Sequence, residues 1–116
     1  MILYLKCAVL FIITFSNSGG IAIVYVVIKH RVEDYSKWKP VFDEDASRRE
    51  KAGCKGWQLF HSLYNPNEIF IILEWDTKEH ATKFIESEDL KKTMQEAGVT
   101  TKPEVQFFEK MEDFSV

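Results

Sequence analysis

The sequence predicts an α+β domain built on one four-stranded antiparallel sheet, and three observations carry that expectation. Two runs dense in β-branched and aromatic residues, 21–32 and 68–75, read as strands. Between and after them lie segments whose apolar residues recur at three- and four-residue steps, the period of a helix packed on one side. The 116 residues leave room for one domain and little else.

Taken in order, residues 21–32 (IAIVYVVIKHRV) form the first strand. Residues 34–52 form the first helix. Tyr35, Trp38, Phe42 and Ala46 share one side of it, and Asp43, Glu44, Arg48, Arg49 and Lys51 fill the other. The carboxylates Asp43, Glu44 and Asp45 read as a solvated face. Asp34 is placed to cap the helix, Gly53 to end it, and Pro40, without an N–H, to kink its early turns. Residues 56–64 form the second strand, Asn65-Pro66-Asn67 supplies the turn, and residues 68–75 return as the third strand of a hairpin. Cys54 falls in the loop before it. Thr77 caps a short helix carrying Ala81, Phe84 and Ile85, and Ser87 restarts it with Leu90, Met94 and Ala97 inward until Gly98. After a loop at 99–103, residues 105–111 form the last strand. This order is the split βαβ, ferredoxin-like arrangement βαββαβ, with the first and third strands central and both helices on one face.

The other face of that sheet is the informative one. Four strands span about 19 Å, which two helices of about 10 Å each cover on one side only. A water-facing side would make the central strands alternate apolar with polar. They do not: Tyr25 and Val27 oppose Val24, Val26 and Ile28, and Phe70 and Ile72 oppose Ile69, Ile71 and Leu73. The domain has no spare element to cover the second face, so a two-fold homodimer with sheets face to face is expected.

Residues 1–20 read differently from the rest. They are almost wholly apolar up to Phe15, broken by Lys6, Cys7 and Thr14, and end in Ser-Asn-Ser-Gly-Gly. Three readings stay open: an extension from a start codon set too far upstream, a cleaved signal, or a membrane anchor. The domain proper is 21–116. It is expected in the cytoplasm, or exported if residues 1–18 are a cleaved signal.

Composition removes several function classes. Fifteen Lys and Arg against eighteen Asp and Glu leave no cationic excess for nucleic acid. Two cysteines, Cys7 and Cys54, make neither a disulfide framework nor a four-ligand zinc site. His30 and His61 lie on strands separated by the third, about 10 Å apart, too far to share a metal. No metal and no cofactor is expected.

The run from Ile72 to Leu90, with Glu74-Trp75, a short helix and the restart at Ser87, resembles the third strand and following helix of antibiotic-biosynthesis-monooxygenase-like domains. These belong to the dimeric α+β barrel superfamily. The resemblance implies a homodimer of ferredoxin-like subunits, each with a pocket between sheet and helices. Some such domains oxidise polyketide-type aromatics without metal or flavin; others degrade haem, isomerise lactones or have no known activity. Where many of them carry a helix histidine, this chain has Phe84.

The candidate catalytic residues are His61 and Glu74. His61 shares the parity of Trp57, Leu59 and Leu63 and reads as a proton carrier at a pocket or as a core or interface histidine satisfied by backbone. Glu74 ends an apolar strand beside Trp75, where burial would equip it as an acid or base, or where it closes a salt bridge. The candidate ligand-binding residues are His30, Trp38, Phe42, Trp57, Trp75 and Phe84: the five aromatic rings read as a lining for a flat molecule or simply as core, and His30, between Lys29 and Arg31, as a site residue or a polar strand end. Two functions follow. One is a cofactor-independent monooxygenase or isomerase acting on a small aromatic or polyketide-like molecule, with His61 or Glu74 removing a proton. The other is a non-catalytic dimeric domain that binds a small ligand or acts as an interaction module. The expected partners are a second copy of the chain and a small hydrophobic molecule, with neither nucleic acid nor a membrane.

Overall fold

The computed structural model describes residues 23–116; residues 1–22, with the apolar extension, Cys7 and the first two residues of the expected first strand, lie outside them. Eight elements follow one another: β1 (Val24–Arg31), α1 (Tyr35–Glu44), α2 (Ala46–Ala52), β2 (Cys54–His61), β3 (Glu68–Trp75), α3 (Lys78–Ile85), α4 (Glu88–Glu96) and β4 (Glu104–Phe108). The strands make one sheet in the order β2-β3-β1-β4, every neighbour antiparallel. This is the expected ferredoxin-like topology with β1 and β3 at the centre.

The local signals act as the residue types require. The Asp34 carboxylate accepts from the Ser36 N–H, the Thr77 hydroxyl from His80 and the Ser87 hydroxyl from Leu90, each satisfying an N–H that the first helical turn leaves unpaired. In the hairpin turn the Asn65 side chain accepts from the Asn67 N–H, and Glu68 N–H donates to the Asn65 carbonyl. Asn67 also ties the hairpin to the end of β1: its carbonyl accepts from Val32 and its side chain from Tyr35.

Three boundaries differ from expectation. The first helix breaks into α1 and α2 at Asp45, not in the early turns around Pro40; the Asp45 N–H is shared between the Val41 and Phe42 carbonyls at 3.2 and 3.3 Å. Cys54 is not in a loop but opens β2, where it is buried, and a bulge at the next residue restores the register. β2 ends at His61 and β4 at Phe108, each three residues short, so Leu63, Tyr64 and Met111 project from loops.

Strand pairing decides the two faces. Val26 stands between Leu73 and Phe107, and Ile71 between Ile28 and Leu59. This face carries the core: Val26, Ile69, Ile71, Leu73 and Trp75 beneath Trp38, Ala81, Phe84 and Ala97 of the helices. The opposite face has the row Phe60, Phe70 and Lys29 and the row Gln58, Ile72, Val27 and Gln106, with Phe60 47% and Phe70 37% exposed. It is apolar at its centre and no element of the described residues covers it. Among those residues no helix is long and apolar enough to cross a membrane.

Gly53 ends α2 with φ 122°, and a Cβ there would stand 2.5 Å from the Asp76 Oδ1. Gly53→Ala is expected to cost about 1–3 kcal/mol in urea denaturation. Gly56→Ala, with no atom within 4 Å of the new methyl, is the control and should change stability by less than about 0.5 kcal/mol.

Candidate functional site

A cavity of about 70 Å³ lies between the inner face of the sheet and the helices. β1 supplies Ile28 and His30, β3 supplies Ile71 and Leu73, and α1 supplies Trp38, Val41 and Phe42. α3 contributes Phe84, α4 contributes Leu90, Thr93 and Met94, and Ala97 follows directly. Trp38 stacks on Phe42 with ring centroids 4.8 Å apart, and the edge of His30 meets Trp38 at 5.8 Å. The four-residue step from Trp38 to Phe42 puts both rings on the sheet-facing side of α1.

Four of the six expected ligand-binding residues thus meet in one chamber: His30, Trp38, Phe42 and Phe84. Trp75 lies one layer deeper, fully buried and 5.4 Å from Phe84, its indole N–H without an acceptor. Trp57 flanks the chamber, edge-on to Phe42 at 6.0 Å.

The two expected catalytic residues are not brought to it. His61 is exposed at the end of β2, its ring 5.1 Å from Tyr35 and its Nδ1 3.1 Å from the Ser62 carbonyl. Glu74 and Trp75, adjacent in sequence, point to opposite sides of the strand, so Glu74 lies on the open face beside Tyr25 and Gln58. His61 pairs with Ile69 and Glu74 sits five residues further along β3, about 17 Å away. They cannot act on one atom together. His30 and His61 both flank Ile69, the two-strand separation expected of them. Among the described residues no three His, Cys, Asp or Glu side chains gather as metal ligands would.

The polar groups of the cavity are few and under-partnered. His30 is 5% exposed, and neither ring nitrogen has a hydrogen-bond partner among the described residues. Burial lowers its pKa from 6.5 to about 4, so it is neutral at ordinary pH. Arg49 is 3% exposed, and it was expected on the solvated side of the first helix. Its Nη1 donates to the Phe42 carbonyl at 2.9 Å, and its guanidinium lies 3.8 Å from the centre of the Phe42 ring and 4.2 Å from that of Trp57. Nε and Nη2 have no acceptor among the described residues, and burial lowers its pKa. Such stacking returns about 2 kcal/mol per desolvated face. Each unsatisfied charged N–H costs about as much or more. Asp45 is also a correction: it is not a solvated carboxylate but a cavity-lining one, held by Arg48 through two bonds of 2.8 and 3.1 Å. Arg48 reaches on to Thr93 at 3.2 Å and so joins α2 to α4.

A signal for Arg49 was present in the spacing. Trp38, Phe42, Asp45, Arg49 and Ala52 follow at steps of four, three, four and three, so the arginine stands on the apolar stripe. Charge type argued for solvent and position argued for the core; position prevailed.

The profile of the antibiotic biosynthesis monooxygenase family matches residues 22–96. No curated protein sequence matches the chain. Among solved structures, a Bordetella bronchiseptica protein named for antibiotic biosynthesis monooxygenases superposes with a TM-score of 0.68 at 16% identity, over 78% of this chain and 99% of its own. SnoaB, a cofactor-independent oxygenase from Streptomyces nogalater, gives 0.66 at 16% identity over 79% and 96%. A conserved protein from Methanosarcina mazei Go1 gives 0.63 at 19% identity over 78% and 94%. At these identities the likeness is one of fold.

The buried imidazole sets a pH dependence. Its folded pKa of about 4 lies below the unfolded value near 6.5, so acid protonates the unfolded chain first. Stability is complete above pH 6.5 and is lost as pH falls from 6.5 towards 4, by up to about 3 kcal/mol. In His30→Phe this contribution should vanish, so denaturation midpoints at pH 7.5 and 5 should differ less than in the parent.

Proposed function

The chain belongs to the antibiotic biosynthesis monooxygenase family, and on that premise we propose that it is a cofactor-independent monooxygenase-like enzyme acting on a small aromatic or polyketide-like molecule held between sheet and helices. One observation carries the reading: a neutral imidazole, His30, sits with both ring nitrogens unpartnered on the wall of an aromatic and aliphatic chamber. SnoaB, a cofactor-independent oxygenase on the same fold, supports it.

Oxygen insertion without metal or flavin requires a substrate that supplies the electrons. A phenol or enol that loses its proton becomes an anion able to pass an electron to dioxygen. Recombination of the two radicals forms a carbon–oxygen bond. Cleavage of the O–O bond, with loss of the ring C–H, then leaves a quinone and one molecule of water. His30 is assigned the proton transfers, through the nitrogen that carries the lone pair in its neutral form. Trp38, Phe42 and Phe84 exclude bulk water and line the chamber with aromatic surface. His61 and Glu74, outside the chamber, take no part in this scheme.

The open face of the sheet is assigned to a second copy of the chain. Covering about 800 Å² per subunit would contribute on the order of 20 kcal/mol before association costs, and a symmetric pair of sheets needs no further element. A second reading, a non-catalytic dimeric ligand-binding domain, is favoured by the size of the cavity, far below the 300 Å³ or more of ordinary substrate pockets.

An oxygen electrode with quinol-type substrates tests the assignment. The protein should consume oxygen, and His30→Gln should lower kcat by about 10²–10⁴-fold with an unchanged circular dichroism spectrum. No uptake across a broad panel, together with thermal stabilisation by aromatic ligands, selects the second reading. Sedimentation at micromolar concentration should give a dimer that Ile72→Lys, at the centre of the open face, converts to monomer; a monomeric parent removes the sheet-to-sheet pairing.

A further inference from the structure

One charged group of the cavity has no place in the scheme above. Arg49 is almost fully buried, yet among the described residues its guanidinium pairs with no carboxylate. Asp45, the acid nearest it on the cavity wall, is occupied in both oxygens by Arg48. Asp43, further along α1, is bound by Lys39 at 2.7 and 2.9 Å and is exposed. Of the guanidinium's three nitrogens, Nη1 is spent on the Phe42 carbonyl. The two left free, Nε and Nη2, are the pair whose N–H bonds run parallel along one edge, the fork that grips a single oxygen or a carboxylate. The guanidinium lies against the mutually perpendicular rings of Phe42 and Trp57, which with the bond to the Phe42 carbonyl restrict it before anything binds.

We propose that Arg49 is the anion-recognition residue of the cavity, and that the ligand is a small acidic aromatic molecule whose ionised oxygen sits on the Nε and Nη2 edge while its ring lies against the apolar wall of the cavity. This deepens the reading above and rests on it for the claim that the cavity takes a ligand. Size sets the class. An engineered apolar cavity that takes up benzene measures about 150 Å³. The space here is about 70 Å³, less than half of that, so a single ring is the largest ligand it could admit, and only with repacking of a wall in which Met94 is the most adaptable member; a fused polycycle does not enter. Charge sets the rest: every other wall residue except His30, Thr93 and the occupied Asp45 is apolar. A phenolate or enolate oxygen and a carboxylate both satisfy the fork. For the oxygenation chemistry, a cation on that oxygen would hold the substrate in its electron-rich, deprotonated form.

The test is equilibrium binding of 4-nitrophenol, benzoate and the neutral nitrobenzene to the full chain, by calorimetry and by the colour of the nitrophenol. The parent protein should bind 4-nitrophenol in its yellow, ionised form and so lower its apparent pKa. Arg49→Met should lose at least tenfold in affinity for 4-nitrophenolate or benzoate, with nitrobenzene binding unchanged. Tighter binding of the nitrophenolate assigns the fork to a phenolate or enolate, and tighter binding of benzoate assigns it to a carboxylate; either supports the proposal. Binding of 4-nitrophenol as the neutral phenol, equal binding of charged and neutral probes, or no binding overturns it. The dye measurement needs only the parent protein, so it decides the matter even if Arg49→Met does not fold. Neither measurement requires turnover. Arg49-dependent anion binding without oxygen uptake would retire the oxygenase and keep this site; oxygen uptake with the dye bound neutral would do the reverse.

Discussion

A sheet whose two central strands are apolar on both sides, with helices enough for only one of them, is the constraint on which the rest of this molecule depends. β1 and β3 alternate core residues with Tyr25, Val27, Phe70 and Ile72 on the far face. The four short helices all pack on the near face, and their number is set by chain length. Two consequences follow. The near face must be filled by a mixed wall of sheet and helix side chains, and the far face carries an apolar centre that water does not favour.

Filling the near face is imperfect, and the imperfection is where chemistry can occur. The helical layer is interrupted at Asp45 and again at Glu86 and Ser87, and the cavity is lined by residues from both sides of these breaks. Into it fold two groups that a core built only for stability would replace. An imidazole with both nitrogens unpartnered and a guanidinium with a free edge each raise the energy of the empty state. Their environment also tunes them. Burial keeps His30 neutral, and the aromatic planes of Phe42 and Trp57 hold Arg49 in place without neutralising it. An apolar chamber amplifies any charge that forms inside it, because the surroundings have little polarisability with which to screen it.

Solved structures at 16–19% identity show that this frame persists while its side chains change. A fold shared at such low identity does not fix the chemistry, and the site has to be argued from its own residues. The place of Phe84 illustrates this. Where related domains were expected to carry a helix histidine, this chain has a ring packed on Trp75 and on the cavity, and the imidazole in the chamber comes from β1 instead.

Much of the fold was legible in the sequence because it follows from local chemistry. Asp34, Thr77 and Ser87 cap helices because a short polar side chain is the cheapest partner for a free N–H, and the Asn65 to Asn67 turn forms for a similar reason. The antiparallel order and the two apolar faces follow from parity alone. The aromatic lining was legible too, since Trp38 and Phe42 lie at helical spacing. What the chain alone did not reveal was which polar groups share that lining. His61 and Glu74 looked suitable by residue type, but which face of the sheet the helices cover, and which strand ends they leave open, depends on elements brought from elsewhere in the chain. Arg49 and Asp45 looked solvated by charge, yet they stand on the stripe that runs from Trp38 to Ala52 and are carried under the helices with it. Element identity was thus determined by the sequence, through propensity, caps and periodicity, whereas the membership of the cavity was decided by tertiary packing, because burial is a property of neighbours brought from elsewhere in the chain.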